Sequence, residues 1–145
     1  MRHYSIAPAA FTLLELILVL AIIGLTTIAT IWQVQSILDR VAARTAITEA
    51  ALVVARARDE AVAQHTLVTL LIDPTIGTLT LRAHGERLAF HALGHAYGVT
   101  LTTTRDSIAF DARGLGHGAA NLTMIVQRGA ATNSLVVSRL GRIRY

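Results

Sequence analysis

Hydrophobic and polar positions divide the chain into three regimes. From Phe11 to Trp32 apolar residues follow one another, with Glu15 as the only charge. From Gln33 to His65 they recur at helical spacing within an alanine-rich, arginine-containing stretch that has no proline or glycine. From Thr66 onward they come in short β-rich runs separated by turn residues. The first regime predicts a membrane helix, the second its amphipathic continuation to about His65, and the third a sheet-rich head. Within the second, Ile37, Val41, Thr48, Leu52, Ala55 and Val62 share one sector of the helical wheel. That stripe is predicted to pack on the head, although Arg44 and Asp59 fall in the same sector.

Seven β runs are expected: "TLVTLLI", "GTLTLRA", "ERLAFHAL", "GVTLTTT", "SIAFDA", "NLTMIVQ" and "SLVVSRL". Asp73-Pro74-Thr75-Ile76-Gly77 predicts a hairpin connection between the first two. Gly114 to Gly118 predicts a flexible loop between the fifth and sixth. A sheet of this size buries a modest core, so the helix is needed to complete it.

The 22 residues from Phe11 to Trp32 span about 33 Å as a helix, enough for a bilayer core. Twelve Leu, Ile or Val residues lie between Leu13 and Ile31. At about −0.3 to −0.6 kcal/mol each they outweigh a glutamate costing at most about 3.5 kcal/mol. A cleaved secretory signal fits poorly, because the small residues Ala7, Ala9 and Ala10 precede the apolar stretch instead of following it. Thr12-Leu13-Leu14-Glu15 also has the spacing of a capping box, which would make Glu15 part of a helix start.

Composition narrows the chemistry. There is no cysteine, so disulfides, thiolate metal sites and cysteine nucleophiles are excluded. Thirteen arginines and no lysine against nine acids give a formal +4, spread along the chain without a block. The exception is the end, "SRLGRIRY", where Arg139, Arg142 and Arg144 have no acid among them. His91 and His95 have a four-residue spacing that could bind a metal on a helix, but Gly94 lies between them, the surrounding residues read as strand and loop, and no nearby carboxylate or cysteine supplies a third ligand. They read as solvated loop histidines. Gly114-Leu115-Gly116-His117-Gly118 lacks the following lysine-bearing helix of a phosphate loop and reads as a turn. Asn121-Leu122-Thr123 matches the short glycosylation pattern, and no Ser/His/Asp arrangement stands out from the scatter.

The N-terminal string, a short leader with a basic residue, a small residue at its end and then "FTLLELILVLAIIGL", resembles the N-terminus of type IV pilins and pseudopilins. The resemblance implies cleavage by prepilin peptidase between Ala10 and Phe11 and methylation of the Phe11 amine. It also implies an assembly role for Glu15, whose carboxylate would pair with the N-terminal amine of a neighbouring subunit, since a buried charge needs a countercharge. The sequence departs from the family at Ala10, where glycine is usual, and at Trp32, where many members have proline. In the second half "ARARDEAVAQHTLVTLLIDPTIGTLTL", "GVTL", "IAFDARGLGHG" and "LVVSRLGRIRY" resemble the GspH/FimT family of minor pseudopilins.

The expected organisation is a leader at 1–10, a transmembrane and assembly helix at 11–32, its amphipathic continuation at 33–65 and a periplasmic β-rich head at 66–145. The fold class is α+β, type IV pilin-like, a long helix packed on an antiparallel sheet head. The resemblance implies a bitopic inner-membrane protein, N-terminus cytoplasmic, incorporated near the tip of a type II secretion pseudopilus. It assigns no catalytic residue, metal or cofactor. The implied partners are prepilin peptidase, major and minor pseudopilins, the inner-membrane assembly platform and secreted exoproteins. In the alternative, Gly141-Arg142-Ile143-Arg144 is read as the Gly-Arg-x-Arg tail through which FimT-like minor pilins bind DNA, with Arg142 and Arg144 as contacts. From pattern alone, the same residues are a last strand with Ile143 inward and both arginines in water. A membrane-tethered enzyme or binding module is a third reading, disfavoured because no polar cluster converges.

Overall fold

The computed structural model describes residues 12–118 and 121–145, and of residues 28–32 the backbone only. Ala10 and Phe11, the expected cleavage and methylation pair, lie outside the described residues. The chain divides into two compact units, Met1–Gln35 and Ser36–Tyr145.

A single helix, α1 (Leu13–Ala63), begins in the first unit. Thr12 caps it, its Oγ1 accepting the Glu15 backbone N–H at 3.2 Å. Leu13 to Leu25 present exposed apolar side chains on every side, and Thr26 and Thr27 turn their hydroxyls back onto the carbonyls of Ile22 and Ile23. That back-bonding leaves mostly methyl groups outward. Among the described residues no helix is long and apolar enough to cross a membrane. The expected span includes Phe11 and residues 28–32, whose side chains are not described.

The second unit is the head with the remainder of α1. Nine strands and a short helix follow: β1 (Val68–Asp73), β2 (Thr78–Ala83), β3 (Glu86–Ala92), α2 (Leu93–Tyr97), β4 (Thr100–Thr103), β5 (Ser107–Phe110), β6 (Gly116–His117), β7 (Leu122–Arg128), β8 (Ala131–Val137) and β9 (Ile143–Arg144). They form two antiparallel sheets, ordered β3-β2-β1-β5-β6 and β4-β7-β8-β9. The alternation that predicted strands is the alternation of burial: β7 buries Leu122, Met124 and Val126, and β8 buries Leu135 and Val137. Asp73 closes the first hairpin as expected, its Oδ1 accepting the Thr75 N–H at 2.9 Å, with Gly77 at φ +65°.

Two expectations need correction. The face of α1 that packs on the sheets is Ala43, Ala46, Ile47, Ala50, Val53, Val54, Ala57 and Ala61, all buried. The predicted stripe faces outward instead: Ile37, Val41, Leu52 and Val62 are exposed, and Thr48 and Ala55 only partly covered. The reason is volume. The sheets supply the bulk through Leu70, Leu79, Leu81, Phe110, Met124 and Leu135, so close packing favours a helix face made mostly of alanine, with Ile47, Val53 and Val54 as its larger members. The second correction concerns Gly114 to Gly118, which is no flexible loop. Gly114 is buried in a tight turn at φ +72°, and Gly116–His117 add β6 to the edge of β5.

α2 was not foreseen. Two glycines dock it on the first hairpin, Gly94 donating its N–H to the Gly77 carbonyl at 2.9 Å. A methyl group at Gly94 would lie 2.8 Å from the Ile76 carbonyl oxygen, so only glycine fits this approach.

Candidate functional site

Two features make up the candidate site. The first is the turn after β5. Asp111 Oδ1 accepts the backbone N–H groups of Arg113 at 2.9 Å and Leu115 at 3.0 Å, while its Oδ2 holds the Arg113 guanidinium at 3.0 Å. The Leu115 N–H is the main cause of a carboxyl held below the usual carboxylate range; burial opposes it, and Arg113 adds to it. Arg113 is thereby paired with a carboxylate, and the turn is held by these hydrogen bonds to Asp111.

The second is the tail itself. After β8 the chain reverses through a turn in which Gly141 donates to the Ser138 carbonyl at 2.8 Å and Ser138 to the Arg142 carbonyl at 2.9 Å. Gly141 is buried at φ +73°, and a Cβ there would sit 3.2 Å from the Gly114 carbonyl oxygen and 3.4 Å from the Arg58 side chain. The glycine of the Gly-Arg-x-Arg pattern is therefore a backbone requirement. β9 then pairs Ile143 with Val137 and Arg144 with Val136. Ile143 packs against the core, while Arg142 and Arg144 are exposed and line one shallow cavity of about 270 Å³ with Val136, Ser138 and Leu140. The two arginines are thus brought together, as alternation about Ile143 requires. Among the described residues neither guanidinium has a carboxylate partner. Among the described residues the Arg139 guanidinium has no carboxylate partner either, while its backbone N–H is held by Asn121 Oδ1 at 2.8 Å. It lines an adjoining cavity with His117, across Leu140. Such a surface can hold anions through several charge-assisted contacts.

Glu15 lies in the other unit. Its backbone makes half of the capping box with Thr12, and among the described residues its exposed carboxylate has no partner.

A third polar group went unforeseen. Glu49 of α1 accepts His91 Nδ1 at 2.7 Å and the Tyr97 hydroxyl at 2.5 Å. Arg128 of β7 bonds Asp39 of α1 at 3.0 Å and the Tyr97 carbonyl. His91 is accordingly a half-buried partner of a helix carboxylate and no solvated loop residue; His95 remains exposed on α2. Among the described residues no group of three His, Cys, Asp or Glu could hold a metal. The network clamps α1 to α2 and β7, and it makes stability depend on pH at both ends. Burial raises the Glu49 carboxyl pKa, but the hydrogen bonds from Tyr97 and His91 and the His91 charge lower it further, for a net depression. Its stabilisation is present above the unfolded value of about 4.3 and is lost as pH falls through the folded value. Tyr97 is raised, first by its bond to Glu49, then by burial, then by the Glu49 charge. Its stabilisation holds below about pH 10 and is lost as pH rises through the folded value. Urea unfolding of the Ser36–Tyr145 unit across pH should therefore show both arms. Glu49→Gln should shrink the alkaline arm, since the charge is lost while burial and an acceptor oxygen remain, and shrink the acid one, leaving the share due to Asp111; an unchanged alkaline arm would refute the assignment.

No protein-family profile matches the chain, and no curated protein matches it in sequence. Solved structures do. The type IV minor pilin FimU of Pseudomonas aeruginosa superposes with a TM-score of 0.59 at 22% identity, over 70% of this chain and 86% of that one. A second crystal form of FimU gives 0.57 at 20% identity, with coverage of 70% and 90%. The minor pseudopilin EpsH of the Vibrio cholerae type II secretion system gives 0.56 at 13% identity, with coverage of 70% and 94%. The chain thus has the α+β, pilin-like fold of minor pilins and pseudopilins, as its sequence led us to expect.

Proposed function

We propose that this chain is a minor pseudopilin, a non-catalytic subunit that assembles with other pilin-like subunits into the periplasmic pseudopilus of a type II secretion system. The reading is carried by the fold that this chain shares over 70% of its length with a minor pilin and a minor pseudopilin, and it is joined by the apolar N-terminal part of α1. In this reading the apolar segment anchors the subunit in the inner membrane, with the head periplasmic, until assembly transfers it to contacts with neighbouring helices. Glu15 then meets the charge that it lacks among the described residues of its own chain. The assembly platform and exoproteins are the further partners the reading implies.

A second reading is favoured by one specific observation. Arg142 and Arg144, without a carboxylate partner among the described residues, are exposed and side by side on one cavity, an arrangement suited to phosphates and to a minor pilin that binds DNA during uptake.

The proposal is tested at its first step. After coexpression with prepilin peptidase, mass spectrometry of the membrane-extracted protein should find an N-methylated Phe11. An intact Met1 terminus would count decisively against it. Ala10→Gly should speed processing, since the family's usual residue removes one methyl group from the cleavage site.

A further inference from the structure

The outward face of α1 has a repeat that its own head does not use. Leu38, Val41, Thr45, Thr48, Leu52 and Ala55 follow one another at spacings of three, four, three, four and three residues, the a and d positions of a heptad. Leu38, Val41 and Leu52 are 56%, 57% and 65% exposed, large values for aliphatic side chains on a helix already packed along its opposite face. The two threonines in the middle do not spoil the seam. Their hydroxyls donate back to the Val41 and Arg44 carbonyls at 2.9 Å, so the methyl groups are what a neighbour would meet. An open, mostly apolar groove of about 490 Å³ runs along this face, walled on one side by Tyr97.

The charges beside the seam identify its occupant. Arg44 precedes an a position and Glu49 follows a d position, which makes them g and e residues five apart. In two parallel helices in register, a g residue faces the e residue five positions further along its partner, so Arg44 of each copy would meet Glu49 of the other, twice. An antiparallel pair would set g beside g and e beside e, placing like charges together. Among the described residues Arg44 has no carboxylate partner. Glu49, although it holds His91 and Tyr97, still has lone-pair sites open on its two oxygens.

We propose that this seam docks a second copy of the chain through a parallel, in-register helix pair, with Leu38 to Ala55 as its core and two reciprocal Arg44–Glu49 bridges. The inference is independent of the secretion or pilus reading, because it concerns only the second unit and its own surface. Six seam residues make a weak contact, so covalent trapping is the appropriate test, and the absence of native cysteine makes it clean. Single-cysteine full chains carrying Thr45→Cys or Thr48→Cys, in detergent with a mild oxidant, should each form disulfide-linked dimers. Arg40→Cys, exposed on the same helix but off the seam, should not. Adding Arg44→Glu should cut the cross-linked fraction about tenfold, since two favourable pairs become unfavourable, while Arg44→Lys should preserve it. Cross-linking at Thr45→Cys and Thr48→Cys no greater than at Arg40→Cys would overturn the proposal. So would dimers that form only between the Thr45→Cys and Thr48→Cys chains when the two are mixed, because that pattern denotes antiparallel packing. Cross-linking insensitive to Arg44→Glu would equally refute the bridges that fix the register.

Discussion

Glu15→Ala should leave membrane insertion intact or improve it, while reducing incorporation into a filament by at least about tenfold. The two effects have separate causes. Insertion follows apolar content, and the aliphatic residues between Leu13 and Ile31 outweigh one glutamate near the start of the segment. Removing the carboxylate can only lighten that load. Assembly removes the segment from lipid and packs it among other helices, where a carboxylate without a countercharge is costly and one with a countercharge fixes register. Within its own chain the Glu15 carboxylate has no such partner among the described residues, while its backbone N–H is taken by the Thr12 cap. Membrane fractionation reads the first effect, and the fraction of subunits recovered in sheared filaments reads the second. If Glu15→Ala inserts and assembles like the parent, the residue is only part of a helix start. Glu15→Gln separates the two roles further, because it retains helix propensity and polarity without the charge.

Periodicity carried most of the fold. Each of the seven β runs corresponds to a strand, and α1 ends at Ala63, within two residues of the expected boundary. What periodicity could not supply was the choice between two faces of one helix. Large aliphatic residues dominate any hydrophobic stripe, yet the head selects alanines, because its strands already fill the space with leucine, phenylalanine and methionine. The signal was present: Ala43, Ala46, Ala50, Ala57 and Ala61 recur at helical spacing, and a stripe of small residues marks where a helix approaches a bulky surface closely. β6, two residues long, and α2, five, are too short for any periodicity to declare itself.

The candidate sites divide along the same line. Arg142, Ile143 and Arg144 were legible because strand alternation is a local rule, and the structure places the arginines outward and the isoleucine inward. The His91–Glu49 pair was not, because its members lie 42 residues apart in the chain and meet only once β3 is laid beside α1. Glu49 is no sequence neighbour of His91, so the residues around His91 could not reveal this partner. Likewise, the demand on Gly141 comes from Gly114 and Arg58, which no local pattern connects to it.

Under the secretion reading, the Ser36–Tyr145 unit should bind duplex DNA only weakly, and the binding should vanish near physiological salt. The chain's formal +4 attracts a polyanion at low ionic strength, but scattered charges are screened beyond a Debye length of about 8 Å at 0.15 M. Arg142→Ala with Arg144→Ala should then change little. The DNA-uptake reading requires the opposite. Each phosphate neutralised releases counterions, so affinity should fall steeply with salt, and losing two arginines should lower the affinity and reduce the log–log slope by about two. Gly141→Ala provides a control that leaves every charge in place. Its methyl group would meet the Gly114 carbonyl at 3.2 Å, on a residue held at φ +73°, and would disturb the turn that sets the two guanidinium groups on one cavity. Fluorescence titration across salt separates the cases. Binding that persists at physiological salt, weakens with both arginine substitutions and weakens again with Gly141→Ala would assign the tail to nucleic acid and the chain to the pilus branch. Binding that follows net charge alone would leave the arginines to interactions with other subunits, where a free pair on one face can meet an acidic neighbour.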